Sequence, residues 1–371
     1  MRVVESMNKE KITIIGAGHG GYSATADMIL KGYDVTLYEL PEYRENLFPL
    51  IKTGKLRVTG EIQGIVDIPK IEIEINKAIE FATIILIITH GGTHRKLAEM
   101  MAPFIKGEQI IVLLPGYTGG ALCFEQIFKQ KGVKKGYTLA EANTLPYACR
   151  KITGEPAVHV KLYLKKFLIS AFPAVKNDEF LSVFQKLYPN AHKVENVLET
   201  GFNNGNPVLN VVPCVFNAGR IEYAKGEYQH FQEGVTPSVA RVMGELDLER
   251  IGVGKSLGIK LVPYLERVME TGYVQSNASW YEAIQTSLHL TAKGPDSLQH
   301  RYLTEDVPYG LTPWYHFAKD RNIDVKLMES LIQLASALSD ENYFETGRTL
   351  EEMGINDMTN HELNQFLLYG S

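Results

Sequence analysis

Cysteine is scarce in this chain, with three in 371 residues. Cys123, Cys149 and Cys214 lie far apart, which excludes a disulfide scaffold and the paired spacing of a zinc site. They fit buried thiols in a reducing compartment. Positive charge is not in excess either. The 38 Lys and Arg residues against 43 Asp and Glu give a net charge of −5, so the basic footprint of a nucleic-acid binder is missing. Long apolar runs are absent. The best candidate, residues 81–88, is too short to span a bilayer and reads as a strand. Residues 1–10 are mixed and charged, with no secretory core, and Met7 offers an alternative start. Low-complexity tracts and internal repeats are missing as well. A cytoplasmic protein with neither nucleic-acid nor membrane partners is therefore expected. Its length suggests two domains, and 45% hydrophobic residues suffice for full cores.

What is present begins with Lys11-Ile12-Thr13-Ile14-Ile15, an apolar strand running into Gly16-Ala17-Gly18-His19-Gly20-Gly21. A second strand, Asp34-Val35-Thr36-Leu37-Tyr38, ends on Glu39. This is the dinucleotide fingerprint in its structural context. Gly16 permits the tight turn, Gly18 lets the backbone approach a pyrophosphate, and Gly21 allows close helix–strand packing. The following helix, over residues 22–30, points its N-terminal N–H groups at the phosphates. Gly20 and His19 complete the loop. Glu39 stands where a carboxylate accepts hydrogen bonds from the adenine-side ribose.

Strands and helices alternate through the first half. Short β pieces at residues 55–58 and 71–75 precede Thr83-Ile84-Ile85-Leu86-Ile87-Ile88, which is apolar on both faces like a central parallel strand. Its end, from Thr89 to Thr93, leads into a helix. Residues 109–114 form another buried strand, ending at Pro115-Gly116-Tyr117-Thr118-Gly119-Gly120. Ligands of open α/β sheets lie beyond the strands' carboxyl ends, so Thr89, Gly116 and the first glycine turn are expected around one crevice. Residues 138–142 read as the next strand, with β-rich sequence to about 172. Beyond about residue 196 the periodicity is helical. Thr236-Pro237 starts one helix, Thr349 with Glu352 forms a capping box, and Leu327, Leu331, Leu334 and Leu338 mark another helix. The plan is α/β plus all-α: a Rossmann-type domain over 1–185 and a mostly helical substrate domain over 186–371.

Three polar clusters stand out. Residues 141–150 (Glu141-Ala142-Asn143-Thr144-Leu145-Pro146-Tyr147-Ala148-Cys149-Arg150) follow a sheet strand, where Thr144 and Tyr147 are candidate substrate contacts; the alternative is a capped turn. In the second cluster, Asn203-Asn204-Gly205-Asn206-Pro207-Val208-Leu209-Asn210, the asparagines suit a helix start, and Asn206 and Asn210 share a face one turn apart. Asn217 to Arg220 follow it. The third is His300-Arg301-Tyr302-Leu303-Thr304-Glu305-Asp306-Val307-Pro308-Tyr309-Gly310. Arg301 can grip a carboxylate with two parallel bonds, and Asp306 can orient a base or pair with an ammonium. Capping and surface ion pairs are the plainer readings of these two clusters. His90 and His94 have the spacing of a metal pair, but no acidic third ligand is in phase, so no metal is expected.

The segments ITIIGAGHGG, VTLYE, LLPGYTGGA, NTLPYACR, GNPVLN with FNAGRIE, and HRYLTEDVPYGL together resemble the octopine/nopaline (opine) dehydrogenase family over nearly the whole chain. The resemblance implies a Rossmann domain and a helical domain flanking a cleft. There an imine, formed from a 2-oxo acid and an amino acid or other amine, is reduced with NADH or NADPH. It also implies a catalytic Asn-x-x-x-His turn, an arginine, and an aspartate five residues beyond it. Asn206, Arg301 and Asp306 match, but the histidine position is Asn210.

Asparagine donates a hydrogen bond but exchanges no proton near neutral pH. Reducing a preformed iminium needs no proton in the hydride step, so Asn210 suits that chemistry. Catalysing the condensation would require another group, such as His300, His94, Glu305 or a water. Glu39 favours NAD, because a carboxylate repels a 2′-phosphate, while Tyr43 and Arg44 leave NADP open. Two other functions compete: a hydroxy-acid dehydrogenase, for which Lys293 is the nearest lysine, and a non-catalytic NAD(P)H-binding sensor. A homodimer is compatible with the helical half.

Overall fold

The computed structural model describes residues 10–275 and 279–371, so the alternative start at Met7 lies outside the described residues. In chain order the strands are β1 (Lys11–Ile15), β2 (Asp34–Tyr38), β3 (Lys55–Gly60), β4 (Gly64–Asp67), β5 (Lys70–Glu72), β6 (Ile84–Ile87), β7 (Ile110–Leu113), β8 (Thr138–Ala142), β9 (Tyr147–Lys151), β10 (Ala157–Tyr163), β11 (Phe167–Phe172) and β12 (Ala191–Lys193). Eight of them form one sheet in the order β12-β11-β8-β7-β6-β1-β2-β5. β1 pairs in parallel with both β2 and β6, and the parallel run continues through β7 to β8. Every residue of β6 is buried, as its unbroken apolar sequence requires between two helical layers. Strand order reverses at β1, and the crevice opens there, beyond the carboxyl ends of β1 and β6.

The β-rich stretch becomes a second sheet, ordered β4-β3-β10-β9, which lies against the first helix, His19–Leu30. β9 thereby runs beside the glycine turn. The large sheet also continues past residue 185: β12 pairs in parallel with β11. We therefore place the division between the two halves after Lys193, where the chain turns into helices.

Helical periodicity in the second half produces the expected elements, with local differences. Thr236 caps Pro237–Ser256 through a bond from the Val239 amide. Thr349 and Glu352 do exchange their two capping bonds, yet they close a turn and no helix follows. Gly354, at φ +69°, ends the turn one residue after Met353. The capping box that starts a helix is Thr359 with Glu362, before Asn360–Tyr369. That last helix returns to the first half, placing Phe366 5.1 Å from Phe172.

Candidate active site

The glycine turn is built as a cradle. Gly16 has φ +109°, and a Cβ there would lie 2.3 Å from the Ile88 carbonyl oxygen. At Gly21 a Cβ would lie 1.8 Å from the Gly16 oxygen, so only glycine lets the helix pack on the strand. Gly20 is pressed similarly against Ile88 and Leu145. Gly18 differs, since a Cβ there would meet nothing within 4 Å. Its open flank at the start of a helix is the space a pyrophosphate needs, and the residues present fit a dinucleotide. Glu39 is 3% exposed; its Oε2 accepts from the Ala17 amide at 2.7 Å and its Oε1 from Leu40 at 2.8 Å. The carboxylate thus pins the turn to β2, with an acceptor lone pair to spare. Burial nevertheless raises its pKa, against those two bonds and one from Asn46.

His19 faces β9: its Nδ1 accepts from the Lys151 amide at 3.1 Å, and Nε2 lies 3.4 Å from Arg150. Burial, then Arg150 and Lys151, lower its pKa to about 4, so it is neutral. Lys151 Nζ sits 3.0 Å from Asn46 Oδ1 and 4.2 Å from the Tyr22 ring centroid, beside the same cradle. Arg44, in contrast, donates to the Ile73 carbonyl at 2.6 Å. Thr89 follows β6, its Oγ1 accepting from Thr93, and its methyl would meet a Cβ at Gly16 at 3.1 Å. Gly116, after β7, is wedged against Glu141, and its amide donates to the Ala142 carbonyl at 3.2 Å.

The loops after β6 and β7 meet residues 301–310 from the helical half. Gly91 N donates to Glu305 Oε1 at 2.8 Å, and Thr118 N to the Tyr309 carbonyl at 3.2 Å. Two π-helical turns supply the polar centre, Pro207–Val211 and Val307–Leu311. They touch where a Cβ on Gly310 would lie 2.2 Å from Pro207. Their contact brings Asn210 to Asp306: Asn210 Nδ2 donates to Asp306 Oδ2 at 2.7 Å. Among the described residues, Asp306 Oδ1 is buried without a partner. Asn206 starts the first turn; its side-chain amide has no hydrogen bond among the described residues.

Arg301 Nη1 donates to Glu305 Oε2 at 3.1 Å, while 42% of its side chain is exposed and, among the described residues, its other donors have no partner. Burial opposes its charge, yet Tyr117, Glu305 and Asp306 hold it protonated beyond the ordinary arginine range.

The two adjacent acids differ sharply. Burial alone would raise Glu305, but the hydrogen bond with His90, the Arg301 charge and Tyr117 hold it down at about 2. Burial pushes Asp306 up to about 7, with Arg301 and Asn210 opposing and Glu305 adding to the rise. His300 is lowered to about 4 by burial and Arg301, and His94 to about 3 by burial and Arg348. His300, His94 and Glu305, which could otherwise stand in for the missing histidine, are therefore deprotonated at neutral pH and are not the acid.

Thr144 lies two residues past the end of β8 and is half-buried. Tyr147 does not reach the polar centre. Its hydroxyl donates to Asp27 at 2.7 Å and packs on Tyr188 inside the core, because β9 turns that side chain toward the first helix. Glu141 is also internal, accepting from Ala121 N at 2.7 Å and from Thr200, with its carboxyl pushed up to about 7 by burial. Asn217 caps local carbonyls, and Arg220 pairs with Glu233 on the surface. Lys293 pairs with Glu227 and is 72% exposed, far from any acid role.

Sequence patterns gave no sign of Arg348. Its guanidinium, in a residue 2% exposed, donates to the carbonyls of Gly116 at 3.1 Å and Thr118 at 2.8 Å. It stands alone in sequence, and only the folded chain reveals its partners.

Comparison with known proteins places this geometry. Residues 193–339 match the family model described as NAD/NADP octopine/nopaline dehydrogenase, alpha-helical domain. The chain is 31% identical over 349 residues to the opine dehydrogenase of Arthrobacter sp. (strain 1C), covering 93% of this chain and 95% of that protein. It is 27% identical to the vitopine synthase of Allorhizobium ampelinum, with the same coverages. A solved octopine dehydrogenase with NADH and L-arginine superposes with a TM-score of 0.76 at 20% identity, covering 98% of both chains. D-mandelate dehydrogenase with NADH and anilino(oxo)acetate shares the fold at a TM-score of 0.64, 14% identity, and coverage of 89% of this chain and 98% of that one. With this likeness over 93% of its length, the chain belongs to the opine dehydrogenase family of NAD(P)-dependent oxidoreductases.

Proposed function

We propose that this chain reduces the imine formed between a 2-oxo acid and an amino acid or other amine, with Asn210 in place of the family's histidine. The observation that carries the reading is the 2.7 Å bond from Asn210 to Asp306, with Arg301 beside it and partly open. Arg301 holds the oxo-acid carboxylate through the donors that Glu305 leaves free. An ionised Asp306 can only accept, so it fixes the Asn210 amide with its NH2 inward and its Oδ1 toward substrate. That oxygen is placed to accept from the N–H of an iminium and to favour the cation. When bound, the nicotinamide dinucleotide supplies a hydride to the iminium carbon, neutralising a charge already present. No proton is needed at that moment.

Condensation does need one, since the carbonyl oxygen must leave as water. Asp306 is the group suited to store it, with Oδ1 unpartnered and a pKa of about 7, near the operating pH. The neighbouring acids thus divide the work, Glu305 keeping its charge and Asp306 its proton. Gly16, Gly18, Gly20, Gly21, His19, Thr89 and Gly116 would hold the cofactor, and Glu39 supports NAD over NADP. Arg44, the nearby cation that would welcome a 2′-phosphate, gives one donor to the Ile73 carbonyl, so the preference rests on the Glu39 carboxylate. Thr144 and Asn206 complete the substrate rim.

The test is NADH and NADPH absorbance in a matrix of 2-oxo acids against amino acids and simple amines, each also alone. Oxidation that requires both partners supports the reading and identifies the cofactor. Oxidation with an oxo acid alone would move the chain to the hydroxy-acid class, and binding without turnover would make it a sensor.

A further inference from the structure

Arg267, on the helix Tyr264–Thr271, is 8% exposed. Among the described residues its guanidinium donates no hydrogen bond and meets no carboxylate at ion-pair distance. Its neighbour is the Tyr264 ring, with the guanidinium carbon 5.1 Å from the centroid. The nearby acid, Asp247, is already taken. Its Oδ1 pairs with buried Arg250 at 2.7 Å, and its Oδ2 accepts from the Tyr264 amide at 2.9 Å. Two buried cations therefore share one anion, leaving one positive charge uncompensated. A buried unpaired charge is strongly unfavourable unless something of opposite sign completes it.

The position of this charge identifies what completes it. A Cβ on Gly205 would lie 1.9 Å from Arg267 Nη2, so the guanidinium is in contact with the backbone just before Asn206. Asn206, the next residue, starts the turn that carries Asn210 to Asp306, so Arg267 stands behind that same turn. Joining a 2-oxo acid to an amino acid gives a secondary amine flanked by two carboxylates. Arg301 accounts for one of them.

We propose that Arg267 binds the carboxylate of the amine-bearing partner, which makes this enzyme select amino acids over simple amines. The inference rests on the imine-reduction reading. Asn206, whose side-chain amide has no partner among the described residues, directly follows the Gly205 backbone that Arg267 touches.

Two probes separate the cases: iminodiacetate, a secondary amine with two carboxylates, and N-methylglycine, with one. Calorimetric titration of the cofactor-saturated protein should show iminodiacetate binding at least about 30-fold more tightly, a difference typical of one charge-assisted hydrogen bond. Arg267→Met should reduce that preference to about threefold or less. Arg267→Lys, which keeps the charge and loses the planar fork, should fall between. In turnover with pyruvate, Arg267→Met should lower kcat/KM for phenylalanine at least about tenfold more than for phenethylamine.

A wild-type protein indifferent to the second carboxylate would overturn the proposal. So would an Arg267→Met variant that keeps the preference, or a chain that folds with neither substitution. Absence of turnover with every oxo acid and amine would instead overturn the imine-reduction reading. Efficient turnover of simple amines would leave that reading standing and remove the role of Arg267.

Discussion

Glu305 and Asp306 are adjacent and equally withdrawn from solvent, and what separates them is the number of donors each meets. Glu305 is met by Gly91 N, His90, Tyr117 and Arg301, whereas Asp306 has the Asn210 amide alone and one bare oxygen. The pH behaviour follows. Asp306 has its pKa raised from 3.8 to about 7 in the folded chain, so its stabilising contribution is complete below 3.8 and is lost as pH rises through 7. Asp306→Asn should therefore gain on the wild type with rising pH, by about 4 kcal/mol at pH 8 relative to pH 4. Urea unfolding at both values checks this; an unchanged difference would mean that Asp306 is ionised throughout. The same variant should lose condensation activity about 100-fold and show a flatter pH profile near 7. Glu305, held at about 2, works in the opposite direction, its contribution present above 4.5 and lost as pH falls toward 2.

Arg301 makes a separate prediction at this scale. Arg301→Met should raise KM for the oxo acid about 30-fold and leave the cofactor Kd within about twofold. Equal loss of cofactor affinity, measured by fluorescence titration, would place Arg301 on the dinucleotide instead.

At the scale of elements, the glycine turn shows how one motif combines folding and binding duties. Gly16→Ala forces a Cβ against the Ile88 carbonyl at a positive φ and should destabilise the fold by about 2–3 kcal/mol. Gly18→Val meets nothing within 4 Å and should leave the melting temperature nearly unchanged. Its cofactor Kd should nonetheless rise at least about tenfold, because the side chain fills the space of the phosphates. A Gly18 variant that binds normally would show that the pyrophosphate lies elsewhere.

The two π-turns are the element-level feature least visible in sequence. Asn206 and Asn210 were expected one α-helical turn apart on one face. The segment between them is a π-turn, and Asn210 is buried against Asp306, where Gly310 admits Pro207. Thr349 and Glu352 give the complementary lesson: their bonds form as the spacing implies, yet capping bonds alone cannot extend a helix past Gly354.

Across the whole molecule, Arg348 fastens the helical half to the loop after β7. Its bonds to Gly116 and Thr118 lie beside a third tie, from Trp314 Nε1 to Thr118 Oγ1 at 2.9 Å. Arg348→Met strands two buried carbonyls and should lower unfolding free energy by about 2–4 kcal/mol. Because that loop carries Tyr117 toward Glu305, KM for both substrates should rise together. A rise in only one, with stability unchanged, would make Arg348 a local contact.

The sequence by itself determined the Rossmann half, the helical half and the family. Those depend on short-range signals: residues 84–88 apolar on both faces, glycines where no Cβ fits, and an acid closing β2. It also carried Asn210, Arg301 and Asp306, because their types and spacings form a pattern. Tertiary structure alone decided what each group is worth chemically. Tyr147 was withdrawn into the core, Glu305 was held down and Asp306 pushed up, and Arg348 and Arg267 emerged without any motif. The reason is physical: burial and the count of donors around a side chain set its charge, and both come from segments distant in sequence.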